Sequence, residues 1–382
     1  MAKYFLIAGE ASGDHHASEL IRQINLRDPG AQFAGLGGDR MQAAGCHLYQ
    51  HISRMAFMGF AAVLHHMGQI RRNFRIAQEA LLRERPDVLI LIDYPSFNLR
   101  MAQFCHRMLT ETRICYYIPP KVWAWKRRRI HKIAALCDEV LAIFPFEPAF
   151  YARYGYRCTY VGNPTAETIR QLSITNHQSP ITNHQSPITN HQSPITKTIA
   201  LLPGSRPSEI TNCLPRMLAA ARRFPDCRIT VCAAPGIDDS FYMPSMREGE
   251  TLTRDTYGAL QHAVAAVVNS GTATLETALI RCPQVAVYHL AFSRCIGLLR
   301  WAQHLVFDIP YFTPVNILAQ KPVIRECIAD AFTVDNVAEE LNRLLTDEAY
   351  TKKMLASYEH LSSILGTQPA SATAAAIITS LR

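Results

Sequence analysis

Two short stretches of the sequence place carboxylates where an α/β protein would do chemistry. The first is Gly9-Glu10-Ala11-Ser12-Gly13-Asp14, between an apolar run and a helical stretch. Its two glycines allow a tight turn and a close approach of the backbone to a ligand, and the helix N-terminus behind them favours an anion. Glu10 and Asp14 set a pair of carboxylates at that turn, although Asp14 is equally suited to capping the helix. The second is Ile92-Asp93-Tyr94-Pro95-Ser96-Phe97-Asn98, where Asp93 ends the apolar run Val88–Ile92. A carboxylate at the C-terminal tip of such a strand lies where substrates bind. Its apolar neighbours are expected to raise its pKa and make it a better base. A plain turn aspartate ahead of Pro95 is the alternative.

The segment from Tyr117 to Trp125 is aromatic and interrupted by Pro119 and Pro120, and it holds Trp123 and Trp125, two of the three tryptophans. Large aromatics flanked by basic residues suit an amphipathic or acyl ligand, with core packing as the alternative for one of the two. In the second half, Pro203-Gly204-Ser205-Arg206 follows an apolar run and Glu209 lies just beyond. Backbone amides and one fixed guanidinium there would suit a diphosphate. Ser270-Gly271-Thr272-Ala273-Thr274-Leu275-Glu276 opens another helix after another run. Small residues expose the helix N-terminus to phosphate, and Glu276, one turn in, could accept two hydrogen bonds from a ribose diol. A capping box would explain part of this pattern without a ligand.

The elements that must position these groups alternate between short apolar runs and longer helical stretches. Strands are expected at Lys3–Ala8, Gln32–Leu36, Val88–Ile92, Arg113–Ile118 and Glu139–Phe144, with helices from about His15 to Asn25 and from Phe57 to about Arg85. The rhythm restarts with strands at Thr198–Leu202, Arg228–Ala233, Val264–Val268 and Val285–His289. Such βα alternation predicts an α/β fold of two Rossmann-like, doubly wound domains facing a cleft, with ligands at the carboxyl ends of the strands. The expected domains are 1–172 and 198–355, with a linker at 173–197 and a C-terminal helical segment, 356–382, that can pack back on the first domain. The linker repeats Ser-Pro-Ile-Thr-Asn-His-Gln, and Pro180, Pro187 and Pro194 forbid a continuous helix through it. His177, His184 and His191 recur without a carboxylate or cysteine, so the repeat itself explains them better than a metal does.

With 382 residues, 48% hydrophobic and 18% charged, the chain has material for two cores and is not a disordered composition. The net charge of +8 is modest and is not gathered into a nucleic-acid-binding tail. It does cluster, at Arg71, Arg72 and Arg75 and at Lys126 to Arg129, which reads as a solvated helix face or as attraction to acidic substrates or an anionic membrane surface. The eleven cysteines include no C-x-x-C pair and read as reduced, buried thiols of a cytoplasmic protein, with no zinc spacing. Lys3–Ala8 reads as a first strand rather than a signal peptide. No apolar run approaches the roughly 18 to 20 residues of a membrane span, so membrane contact is expected to be peripheral.

Taken in order, these blocks resemble the lipid-A-disaccharide synthase family of GT-B-type glycosyltransferases. The resemblance is carried by Gly9 to Asp14, Met58-Gly59, Pro86-Asp87-Val88 through Asp93, Phe97-Asn98 and Val122-Trp123-Ala124-Trp125. It continues through Phe144-Pro145-Phe146-Glu147, Val161-Gly162-Asn163-Pro164, Leu202 to Arg206, Ser270 to Glu276, and Asn316-Ile317-Leu318 with Glu326. It implies an inverting transfer of 2,3-diacylglucosamine from UDP-2,3-diacylglucosamine to 2,3-diacylglucosamine 1-phosphate (lipid X). The products are a β-1,6 disaccharide 1-phosphate of the lipid A pathway and UDP. It implies Asp93 as base with Glu10 as its competitor, and a donor site of Ser205, Arg206, Ser270, Gly271, Thr272 and Glu276. The acceptor side would use Ser12, Asp14, Asn98, Trp123, Trp125 and Asn316, and the apolar stretch Met55 to Met67 would lie near the acyl chains or, equally, in the buried core. No cofactor and no catalytic metal are implied. The resemblance also implies work at the cytoplasmic face of the inner membrane of Gram-negative bacteria, and a possible homodimer. The chain departs from the family at Ser96, Pro119 and Asn163, where Asp, Ser and His are often found. A UDP-sugar epimerase of similar form, or an inactive nucleotide-sugar or lipid-binding protein, are the rival readings.

Overall fold

The computed structural model describes residues 1–55, 67–123, 127–178, 197–289 and 311–382, the side chains of 67 and 173–178 excepted. The chain divides into two compact units, 1–167 with 365–382, and 168–364. The repeat from 179 to 196, Met58-Gly59, most of the Met55 to Met67 stretch and Trp125 lie outside the described residues.

The first unit is built on strands β1 (Lys3–Ala8), β2 (Gln32–Gly37), β3 (His47–His51), β4 (Val88–Ile92), β5 (Arg113–Tyr117), β6 (Glu139–Ala142) and β7 (Thr159–Tyr160). They form one parallel sheet in the order β3-β2-β1-β4-β5-β6-β7. Alternate residues of each strand serve opposite faces. Phe5, Ile7, Leu89, Leu91, Ile114 and Tyr116 meet one layer of helices: α3 (Met67–Glu84), α4 (Pro95–Met108) and α5 (Arg129–Leu136). Tyr4, Leu6, Val88, Ile90, Cys115 and Tyr117 meet the other. That layer contains α1 (Ala11–Arg27) and the chain's last helix, Ala370–Thr379. Short helices α2 (Asp39–Ala43) and α6 (Glu147–Ala152) follow β2 and β6.

Residues 365–382 therefore complete the first unit, while 356–364, the start of the expected C-terminal segment, belong to the second. Tyr160 donates its hydroxyl to the Leu365 carbonyl at 2.7 Å. Gly162, at φ +100°, lets the backbone of Gln368 cross so closely that a Cβ there would lie 2.5 Å from the Gln368 carbonyl oxygen. The units meet in sequence inside α7 (Pro164–Gln178), which the first residues of the repeat extend.

The second unit carries β8 (Lys197–Leu202), α8 (Pro207–Ala221), β9 (Cys227–Cys232), β10 (Thr251–Thr253), α9 (Thr256–His262), β11 (Ala265–Asn269), α10 (Thr272–Leu279), β12 (Gln284–Tyr288), α11 (Pro314–Ala319) and β13 (Glu326–Ile328). Helices α12 (Val334–Thr346) and α13 (Glu348–Leu365) follow. Its sheet is also parallel, ordered β10-β9-β8-β11-β12-β13. The strand order of each sheet reverses once, between β1 and β4 in the first and between β8 and β11 in the second. The carboxyl ends of the strands flanking such a reversal are the usual ligand position in open α/β sheets. The last helix is α14 (Ala370–Thr379), described above with the first unit.

Candidate active site

The first reversal brings the two carboxylate-bearing stretches together. Ala8 is in register with Ile92, so the Gly9-Glu10 turn and the Asp93-Tyr94 turn leave the sheet side by side. Asp93 and Tyr94 both adopt left-handed backbone conformations, at φ 45° and 44°. For residues that are not glycine this costs roughly 1–3 kcal/mol each, and such strain persists only where the surroundings enforce it. Here they do. The Asp93 amide donates to the Ile118 carbonyl at 3.2 Å. The Asp93 carbonyl accepts the Asn98 amide and the Tyr116 hydroxyl, each at 2.7 Å. Asn98 also donates to the Ile92 carbonyl at 3.2 Å.

Asn98 is wholly buried, so it holds the strand tip from behind rather than facing an acceptor. Asp93 itself is exposed. The expected wrapping of its carboxylate by the apolar run does not occur, because the buried run stops at Ile92 and the left-handed turn carries residue 93 out of the core. Glu10 is the half-buried N-cap residue of α1, and Ser12 is exposed in its first turn.

Asp14 has a different task. It is 4% exposed and accepts the backbone amides of Gly38 at 2.7 Å, Met41 at 3.0 Å and Arg40 at 3.1 Å. It caps the turn into α2, not its own helix, and its oxygens are spent on that turn. Ser96, one of the departures from the family, is exposed and accepts the Arg129 guanidinium at 3.2 Å.

Trp123 is 3% exposed, edge-on to the Phe144 and Phe146 rings, and its indole N–H donates to Glu147 Oε1 at 2.9 Å. It is a core tryptophan. Glu147, which the sequence offered only as part of a block, is 1% exposed. Its other oxygen accepts the amides of Phe144 at 3.0 Å and Ile143 at 3.2 Å. Burial pushes its pKa up from 4.5 to about 7, against the pull of Trp123, the two amides and Lys121. Lys121 stands at the same end of the sheet, 5.8 Å from the centre of the Phe144 ring and within electrostatic reach of both Asp93 and Glu147.

At the second reversal, Val268 is in register with Leu202, so Pro203 and Asn269 leave the sheet as neighbours. Gly204, at φ +124°, packs between Glu209 and the Asn269 amide. Glu209 accepts the Ser205 amide at 3.0 Å and the Arg206 guanidinium at 2.8 Å, which fixes that guanidinium at the N-terminus of α8. Ser205 and Thr272 are exposed, while Arg206, Ser270 and Gly271 are half-buried. Gly271 is the N-cap residue of α10. Glu276, in the second turn of that helix, is half-buried, and burial raises its pKa. Among the described residues its carboxylate has no hydrogen-bond partner, and a carboxylate that bears a desolvation cost is one that a ligand hydroxyl can satisfy.

Asn316 is 1% exposed and fully engaged. It donates to the Ile324 carbonyl at 2.9 Å and to Glu326 at 3.0 Å, and it accepts the Val323 amide at 2.8 Å and the Ile324 amide at 3.0 Å. With Glu326, which also takes the Phe312 and Thr313 amides, it ties α11 to β13.

Two parallel, doubly wound sheets, each presenting loops at its reversal point, define the two-domain class of GT-B glycosyltransferases. Solved structures agree on the fold. A UDP-GlcNAc 2-epimerase from Neisseria meningitidis is similar with TM-score 0.64 and 10% identity, covering 99% of this chain and 98% of that one. The glycotransferase of kitacinnamycin is similar with TM-score 0.63 and 14% identity, covering 100% and 99%. The sequence narrows the class. The lipid-A-disaccharide synthetase family model matches residues 4–378. The lipid-A-disaccharide synthases of Trichlorobacter lovleyi and Myxococcus xanthus are each 34% identical, covering 99% and 98% of this chain and 97% and 96% of theirs. The chain belongs to the lipid-A-disaccharide synthetase family and is a glycosyltransferase.

Proposed function

We propose that the chain transfers 2,3-diacylglucosamine from UDP-2,3-diacylglucosamine to the 6-hydroxyl of lipid X, with inversion. The first unit takes the acceptor and the second takes UDP. As the acceptor oxygen bonds to the anomeric carbon, its proton passes to Asp93 and the bond from that carbon to the UDP diphosphate breaks. Arg206 and the N-termini of α8 and α10 stabilise the departing charge, and Glu276 accepts the ribose hydroxyls. What supports the reading most is the pair of reversal points. One holds a carboxylate on a strained strand tip. The other holds a fixed guanidinium and a half-buried carboxylate.

The same reading places the enzyme on an anionic membrane surface at the cytoplasmic face of the inner membrane. No described helix is long and apolar enough to cross a membrane. Neighbouring helices α3, α4 and α5 present exposed Arg71, Arg72, Arg75, Arg100, Arg107 and Lys132, which suits such a surface.

The test incubates purified protein with the UDP-linked diacyl donor, with and without lipid X. Disaccharide and UDP forming only with lipid X is the expected result. Conversion of the donor sugar without acceptor would make the protein an epimerase, and UDP binding without turnover a binding protein.

A further inference from the structure

Tyr94 does nothing in the transfer as described, yet it stands at the centre of the first reversal point. Its backbone is left-handed, which no property of a tyrosine favours. Its ring lies against the Gly9 backbone so closely that a Cβ on Gly9 would fall 2.3 to 2.6 Å from three ring carbons. Gly9 is thus needed for the approach of this ring. The ring also lies 5.4 Å from that of Phe97, which stacks on Phe74 at 4.2 Å. The Tyr94 hydroxyl donates to the Met55 carbonyl at 2.9 Å. Burial raises the pKa of that hydroxyl, and the nearby Glu10 carboxylate adds to the effect.

We infer that Tyr94 is a positioning residue for the transfer. Its ring, packed on the Gly9 backbone and beside Phe97, locks the left-handed turn that presents Asp93, and its hydroxyl ties that turn to Met55. The inference rests on the reading of Asp93 as the base. Three strands' worth of chain converge on this ring: the loop after β1, the tip of β4, and the end of the segment after β3. Removing the ring takes away the packing on the turn and leaves the Asp93 backbone bonds to Ile118, Asn98 and Tyr116 to resist relaxation of a strained conformation. A carboxylate displaced by about 1 Å from a reacting hydroxyl can cost up to roughly 100-fold in rate.

The test is a double-mutant cycle on the full chain, with donor and lipid X. Tyr94→Ala is expected to lower kcat between about 10- and 100-fold, with UDP affinity unchanged. Tyr94→Phe keeps the ring and loses only the bond to Met55, so its kcat should fall far less than that of Tyr94→Ala. In the Asp93→Asn background, Tyr94→Ala should cost nothing further, because Tyr94 acts through Asp93. Losses that multiply in that background would overturn the inference, as would equal kcat losses for Tyr94→Ala and Tyr94→Phe. Should Tyr94→Ala not fold, Tyr94→Leu decides: a kcat loss that disappears in the Asp93→Asn background supports the role, and a parent-like kcat or a loss that persists in that background refutes it. Asp93→Asn turning over normally would instead defeat the base assignment, a separate result.

Discussion

Glu147 makes the stability of the first unit depend on pH in a direction opposite to the usual carboxylate. It is buried with its oxygens on Trp123 and two backbone amides, and those bonds do not outweigh desolvation, so its pKa stands near 7, up from 4.5. The folded protein therefore holds this proton more tightly than the unfolded chain. Between pH 4.5 and about 7 the native state binds more protons, so stability falls as pH rises. The full loss, at roughly 1.4 kcal/mol for each tenfold change in proton affinity, is about 3 kcal/mol and is complete a little above pH 7. Glu147→Gln removes the titration. It also loses part of the hydrogen bonding, but by an amount that does not vary with pH. Urea unfolding of both proteins at pH 5 and pH 8 should show the parent losing about 2 to 3 kcal/mol more than Glu147→Gln across that interval. In protein labelled with ¹⁵N-tryptophan, the Trp123 indole resonance should titrate near pH 7. A pH-independent difference between the two proteins, or an indole titration near 4.5, would refute the reasoning.

Arg206→Ala should weaken UDP binding by about 1.5 to 3 kcal/mol by calorimetry, the range for a hydrogen bond to a charged group, since Glu209 already holds the guanidinium in place. Unchanged UDP affinity in both Arg206→Ala and Glu276→Ala would move the donor site elsewhere. Removing one Ser-Pro-Ile-Thr-Asn-His-Gln unit should leave turnover and thermal midpoint nearly unchanged, because loop closure depends only weakly on length. A large loss of either would give the repeat a structural role. Sedimentation with anionic vesicles should show binding that weakens as salt rises, whereas no binding at any salt would end the membrane reading.

The two sheets were legible because their central strands carry short apolar runs: Val88–Ile92 is apolar and buried throughout, and the buried strand Ala265–Asn269 is apolar up to Val268. The edge strands β3, β7, β10 and β13 were not, because sequences such as His47–His51 and Thr159–Tyr160 are polar or only two residues long. Such strands are fixed by pairing with a neighbour rather than by their own pattern. The loops at both reversal points could be read from glycine, serine and carboxylate content, but what individual side chains do there could not. Asp14, Asn98 and Asn316 look like ligand-facing polar residues and instead satisfy buried backbone groups. Tyr94 escaped notice because nothing in its residue type announces a left-handed backbone. Glu147 escaped because its burial depends on Trp123, 24 residues away.

The most direct test of the account is the turnover of Asp93→Asn. The substitution keeps the side chain's shape and removes its basicity. It should cut kcat by roughly 100-fold or more, the usual worth of a general base, while UDP binds as tightly as before. Near-normal turnover in Asp93→Asn, with turnover lost in Glu10→Gln, would contradict the account and make Glu10 the base.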